Sequence, residues 1–148
     1  MQFFKELFSN YLFVSAGLGW LIAQILKTII DLLLNKEFSA ERLVGSGGMP
    51  SSHSSTVCAL ATAAALKCGA SSYEFAISAI LAIIVMYDAR GVRRETGNQA
   101  VILNKIMDYF SSEHPEKIIF DEENLKELIG HTPLQVSIGA ILGILIAF

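Results

Sequence analysis

From Leu7 to Leu26 the chain carries no charged side chain. A bilayer core takes about 20 apolar residues of helix to cross, and a stretch of this length with no charge reads as a spanning helix. A single segment can pass through hydrocarbon only if its backbone groups pair internally, which an α-helix achieves. Lys27 and Asp31 interrupt the apolar continuation through Leu34, so the helix is expected to run on past the lipid. Lys5 and Glu6 cancel before it and no small-x-small cleavage site follows, so it reads as a retained helix and not a cleaved signal.

Three further stretches follow. Leu43–Leu66 is uncharged, but it opens on Gly45-Ser-Gly47-Gly48-Met-Pro50-Ser-Ser-His53. That is a loop entering a helix, so helix is expected from near Pro50. Phe75–Tyr87 is apolar and ends at Asp88, and Leu128–Phe148 contains Gly130 and Pro133, so its helix is expected from near Pro133. The last three are short, since sixteen helical residues cover about 24 Å. Composition agrees. Hydrophobic residues are 53% and charged residues 17%, against about 25% charged in soluble domains. Mean hydropathy is +0.51. These values exclude a disordered chain, a disulfide scaffold and a coiled coil. A net charge of -3 with a pI of about 5.6 argues against a nucleic-acid partner. A soluble bundle with a very apolar core is the competing reading, and the charge-free first stretch and apolar C-terminus oppose it.

The expected fold is therefore all-α. It is a small integral membrane helical bundle of about four membrane-embedded helices, in one domain over residues 1–148. An extra amphipathic helix is expected over Gly97–Phe110, where Val101, Ile102, Ile106, Met107 and Phe110 recur at helical spacing. Asp121–Ile129 reads as a short helix capped by Gly130. Ala59/Ala63, Ala61/Ala65 and Gly139/Gly143 are spaced four apart, which lets helices approach closely in lipid. These pairs and the short spans also leave room for a homo-oligomer. Cys58 and Cys68 lie about 15 Å apart on one helix, too far for a disulfide, and are expected as single buried thiols.

Four spans place residues 27–50 and 88–131 on one side. Lys27, Lys36, Arg42, Arg90, Arg93, Arg94, Lys105, Lys117 and Lys126 lie there, against Lys5 and Lys67 on the other. The positive-inside rule assigns the richer side to the cytoplasm.

Two histidines, His53 and His131, each stand where a glycine-containing turn becomes a helix. Helix starts offer free N–H groups and a positive dipole end to anions. Ser51, Ser52 and the Gly47 and Gly48 amides are candidates to wrap phosphate oxygens, although a plain helix cap explains the same residues. Arg90, Arg93 and Arg94 follow the third span on the same side. They read either as a positive membrane stop or as an oxyanion clamp, since guanidinium forks match phosphate bidentately. Lys27 either pairs with Asp31 one turn on or reaches a phosphate at the membrane surface. His114 reads as a solvated histidine, and no histidine or cysteine spacing suggests a metal site.

At Gly47–Ser54 the chain resembles the second signature of the type 2 phosphatidic acid phosphatase superfamily, which includes bacterial acid phosphatases and vanadium haloperoxidases. Asp88-Ala-x-Gly-Val-Arg93-Arg94, Gln99-Ala100, Leu103-Asn104 and Leu125-Lys-Glu-Leu-x-Gly130-His131-x-Pro133-Leu134 resemble the small divergent membrane branch of that superfamily. The resemblance implies a membrane phosphatase of the phosphohistidine type, acting on a lipid phosphate or a similar phosphomonoester or diphosphate. His131 would be the nucleophile and His53 the acid on the leaving oxygen. Gly47, Gly48, Ser51, Ser52, Arg93, Arg94, Lys27 and Arg42 would bind phosphate. No cofactor or metal is implied, because cationic side chains stabilise the transferring group. Expected partners are membrane lipid and a phosphorylated substrate or headgroup.

The chain departs from the superfamily pattern at three places. Lys36 and Arg42 are separated by five residues where the first signature has six, and Leu43 follows. Leu125 stands where an arginine precedes the third-signature histidine. Gln135 stands where an orienting acid is expected, with Asp88 an alternative. A neutral amide accepts the imidazole N–H without stabilising its charge. The alternative function is thus a catalytically inactive membrane protein that binds a phosphate headgroup or partner in the same pocket.

Overall fold

A computed structural model describes residues 1–35, 48–113, 125 and 130–148, with backbone only at 35, 93 and 111–113. The described residues form six helices and no strand: α1 (Gln2–Ser9), α2 (Tyr11–Asn35), α3 (Ser52–Cys68), α4 (Tyr73–Arg90), α5 (Val92–Glu113) and α6 (Pro133–Ile146). The all-α membrane-type bundle expected from sequence is what forms.

Local chemistry sets the boundaries. The first apolar stretch is not one helix from Leu7, as its lack of charge suggested. Asn10 has φ -75° and ψ 106°, and its Oδ1 accepts from Leu12 N at 3.0 Å and Phe13 N at 3.2 Å. Asn10 therefore caps a new helix and closes α1. Ser51 caps α3, and Gly69 closes it at φ +91°, where a side chain would be strained. Ser72 caps α4 through Phe75 N. Helix α4 runs one turn further than expected, through Asp88 to Arg90, and α5 extends the predicted amphipathic segment at both ends. Pro133 opens α6 behind a Thr132–Gln135 capping box. Gly130 has φ +112°. The expected helix over 121–129 lies outside the described residues, as do Lys36, Arg42, Gly47 and His114.

Helix α3 is the centre, packed on α2, α4 and α6. Its buried side chains are all small: Ser52, Ser54, Ser55, Val57, Cys58, Ala59, Ala61, Ala63 and Ala64. Neighbouring backbones come close enough to exclude a methyl group. A Cβ on Gly19 would stand 3.0 Å from both the Ala59 Cβ and the Ser55 carbonyl oxygen, and on Gly139 or Gly143 it would fall on the Ser51 or Ser55 carbonyl. The Ser55 hydroxyl donates to the Gly19 carbonyl at 2.8 Å, tying α3 to α2. In lipid, where tails are as apolar as leucine, such close packing and hydrogen bonding hold helices together. On the α4 side, Val57, Ala61 and Ala82 cluster with Val85 and Met86.

The large apolar residues face outward: Leu18, Trp20, Leu21 and Ile25 on α2, Ile77, Ile80, Ile83 and Ile84 on α4, Ile141 and Leu145 on α6. A soluble monomer rarely exposes so continuous an apolar surface. Tyr11–Leu34 and Tyr73–Phe110 are long and apolar enough to cross a bilayer, and α6 is a shorter apolar helix. Both cysteines are free, but only Cys58 is buried. Cys68 is exposed at the end of α3, which corrects the expectation of two buried thiols.

Candidate active site

The bundle gathers the C-terminal half of α2, the starts of α3 and α6 and the end of α4 at one end. At the opposite end the Tyr11 hydroxyl donates to the Ala147 carbonyl. Two backbone hydrogen bonds hold the site together. Ser51 N donates to the Gln135 carbonyl at 3.1 Å, joining the starts of α3 and α6, and His131 N donates to the Ala89 carbonyl at 3.0 Å, joining α6 to α4.

His53 and His131 meet there, with ring centroids 6.2 Å apart and planes at 60°. His131 is 2% exposed, whereas His53 is half-buried. The His131 Nδ1 lies 3.3 Å from the Gln135 Oε1. The Thr132 N–H donates to that same oxygen at 3.0 Å. An amide nitrogen in that place would face a second donor, so the cap fixes which way the Gln135 amide points. An oxygen can only accept, so this contact assigns a proton to Nδ1. Burial pushes the His131 imidazole below the ordinary histidine value. The Gln135 contact opposes this, the positive charges available to His53 and Lys27 add to it, and a backbone hydrogen bond with Gly48 opposes it. On balance the site favours the neutral imidazole.

Lys27 is 2% exposed. Its chain lies along Gly48, where a Cβ would stand 3.1 Å from Lys27 Cγ and 3.3 Å from Cδ. Gly48 has φ +80°, a conformation that strains any side chain, and a Cβ there would also press on the Lys27 stem. The Lys27 stem thus lies against Gly48, within electrostatic reach of His131.

The serines behave differently. Ser51 is fully buried. Its Oγ accepts from Ser54 N at 3.4 Å and from the Ser54 hydroxyl at 3.1 Å. Its side chain serves the cap and the α3–α6 contact, which is the plain-cap alternative. Ser52 is buried in the first turn of α3, and its carbonyl accepts from the Thr56 hydroxyl. Asp88 is half-buried on the last turn of α4, next to Ala89, whose carbonyl holds His131 N. Arg94 is exposed on the first turn of α5. Arg93 lies on the same turn, and its side chain is outside the described residues, as are Gly47 and Arg42. No group of three His, Cys, Asp or Glu side chains that could hold a metal occurs among the described residues.

Asn104, which entered the sequence reading only through the family resemblance, has a structural role. The Asn104 amide donates to the Leu125 carbonyl at 3.0 Å and accepts from Leu125 N at 3.1 Å, clamping α5 to the chain six residues before His131. A lone Asn in an amphipathic helix carries no local signal for such a pairing.

Residues 8–146 match the family model described as the divergent PAP2 family. The chain belongs to that family. A Bacillus subtilis (strain 168) relative, described as uncharacterized membrane protein YuiD, is 38% identical over 152 residues, covering 95% of this chain and 94% of the relative. No solved structure matches. The apolar helices and the membrane-protein relative support a membrane location for this divergent PAP2 protein.

Proposed function

We propose that this protein is a metal-independent membrane phosphatase of the phosphohistidine type, with its site facing the cytoplasm. The observation that carries the reading is the pair of histidines on adjoining helix starts, with a neutral, oriented His131 beside a buried Lys27. In-line attack needs the nucleophile about 3–3.5 Å from phosphorus. The acid must stand about 2.6–3.2 Å from the leaving oxygen. These distances ask for ring centroids farther apart than the 6.2 Å in the structure, an opening that rotation of the half-buried His53 side chain would provide.

In this mechanism His131 Nε2 bonds to phosphorus as the bond to the leaving oxygen breaks, and His53 gives that oxygen a proton. Water then attacks phosphorus, His53 takes its proton, the P–N bond breaks and phosphate leaves. The Lys27 ammonium, the loop at Gly48 and the arginines of the α4–α5 corner balance the charge on the equatorial oxygens. Depth favours a lipid phosphate or another membrane-held ester. Helices of 17 and 14 residues reach the site, and at 1.5 Å per residue they span about 26 and 21 Å. That is short of a hydrocarbon core of about 30 Å. Arg90 and Arg94 lie at the site end and Lys5 and Lys67 toward the other, which supports the cytoplasmic assignment.

Phosphate release by detergent-purified protein tests the reading, using a generic phosphomonoester, phosphatidic acid and a polyprenyl diphosphate. Turnover lost in His131→Ala and nearly lost in His53→Ala is expected, and full activity in His131→Ala refutes the mechanism. Gln135 favours a second reading, because a neutral partner leaves the imidazolium of the reaction unstabilised. Saturable vanadate binding without turnover of any substrate would select an anion-binding protein instead.

A further inference from the structure

We propose that α1 is a membrane-surface helix, lying in the lipid headgroup region of the leaflet opposite the candidate site. The break at Asn10 separates it from α2, so it is not the first turns of the span. Helix α2 has 25 residues, about 37 Å at 1.5 Å per residue, and spans a bilayer without help from α1. Helix α1 divides cleanly at 100° per residue. Phe3, Phe4, Leu7 and Phe8 fall on one side, and Gln2, Lys5, Glu6 and Ser9 on the other.

Among the described residues, the bundle half-buries Leu7 on the apolar side and leaves its three phenylalanines uncovered. No residue of α1 is buried, and Phe3, Phe4 and Phe8 are 68%, 62% and 68% exposed. A helix of eight residues is well short of the about 12–15 needed for stability in water, so another surface must hold it. Its occupant is indicated by continuity. Immediately after Asn10, the exposed Tyr11 and Phe13 begin the outward apolar face of α2, which the bilayer covers. Aromatic side chains concentrate at this boundary. The polar side is internally settled, with Gln2 Nε2 donating to Glu6 Oε1 at 2.9 Å. Lys5 and Glu6 cancel, so attachment comes from apolar burial and not from anionic headgroups.

The test places single tryptophans in the full-length protein, reconstituted in phosphatidylcholine vesicles, on a Trp20→Phe background. Phe4→Trp is expected to emit at short wavelength and to be quenched most by lipids labelled near the headgroup. Lys5→Trp is expected to emit at long wavelength and to be quenched by aqueous acrylamide. Adding anionic lipid should move neither. Equal acrylamide quenching at both positions would overturn the proposal by placing α1 in water. Strongest quenching of Phe4→Trp from the bilayer centre would overturn it by making α1 part of the span. Protection of Phe4→Trp from both quenchers would overturn it in favour of protein contact, a second copy if protection falls on dilution in the membrane. Phosphatase activity does not enter any of these outcomes.

Discussion

Replacing Gln135 with glutamate puts a carboxylate where the structure has an amide oxygen, 3.3 Å from His131 Nδ1. The fold has reason to accept it. Glutamate at the third helical position completes the same capping box with Thr132, and a negative charge suits a helix N-terminus. The effect should therefore fall on the imidazole. An adjacent opposite charge shifts a pKa by about 1–3 units toward the charged form. At 1.36 kcal/mol per unit, that is roughly 1.4–4 kcal/mol of added preference for the imidazolium. Ring-nitrogen NMR of histidine-labelled protein in micelles reads this directly, with His131→Ala assigning the signal. In the parent the His131 midpoint should lie below the ordinary 6.5, because burial disfavours the charged ring. It should rise in Gln135→Glu and fall in Gln135→Leu, which loses the contact that opposes burial. An unmoved midpoint in Gln135→Glu, with the capped helix intact, would refute the assignment of Gln135 as the partner of Nδ1.

Because folding lowers the His131 pKa, the unfolded chain takes up a proton first as pH falls. Thermal stability should hold above the ordinary value of 6.5 and decline as pH drops from there to the folded midpoint, and His131→Gln should flatten that decline. Gly143→Ala should lower the melting temperature in detergent, since its methyl falls on the Ser55 carbonyl; overpacking of this kind costs about 1–3 kcal/mol. Gly17→Ala, which meets nothing within 4 Å, is the control and should melt like the parent. Lys27→Met keeps the packing on Gly48 and removes the charge, so vanadate affinity should fall by at least tenfold while the melting temperature changes little. Asn104→Ala removes both hydrogen bonds to Leu125, and limited proteolysis should cut near Leu125 faster than in the parent.

The elements most legible in the sequence were those whose signals are local. Pro133 behind Thr132 marks a helix start to the residue, and serine before an alanine-rich run marks α3. The Gly139/Gly143 spacing pointed to a close approach, but not to its partner, which is the backbone of Ser51 and Ser55. Asn10 was missed because charge was the only interruption sought in the first stretch, and a neutral cap is invisible to that test. Lys27 stood between two readings because an i,i+4 partner is always available on paper. Only the approach of Gly48, 21 residues away, decides where its stem lies. Ser51 and Ser52 fit both a cap and a phosphate loop in the sequence because caps and anion loops use the same residue types.

The Ser51–Gln135 hydrogen bond and the Gly139–Ser51 contact have a further consequence. The two histidines hang from one backbone junction with no side chain between its halves to act as a spacer. A ligand can turn the half-buried His53 ring, but it cannot part the two helix starts without separating packed helices. Under the proposed phosphatase reading, discrimination among ligands would rest on the perimeter, on the long stem of Lys27 and the solvent-exposed turn at Arg94. Ligands of different bulk should share one phosphorus position and differ only in how their remainders leave it.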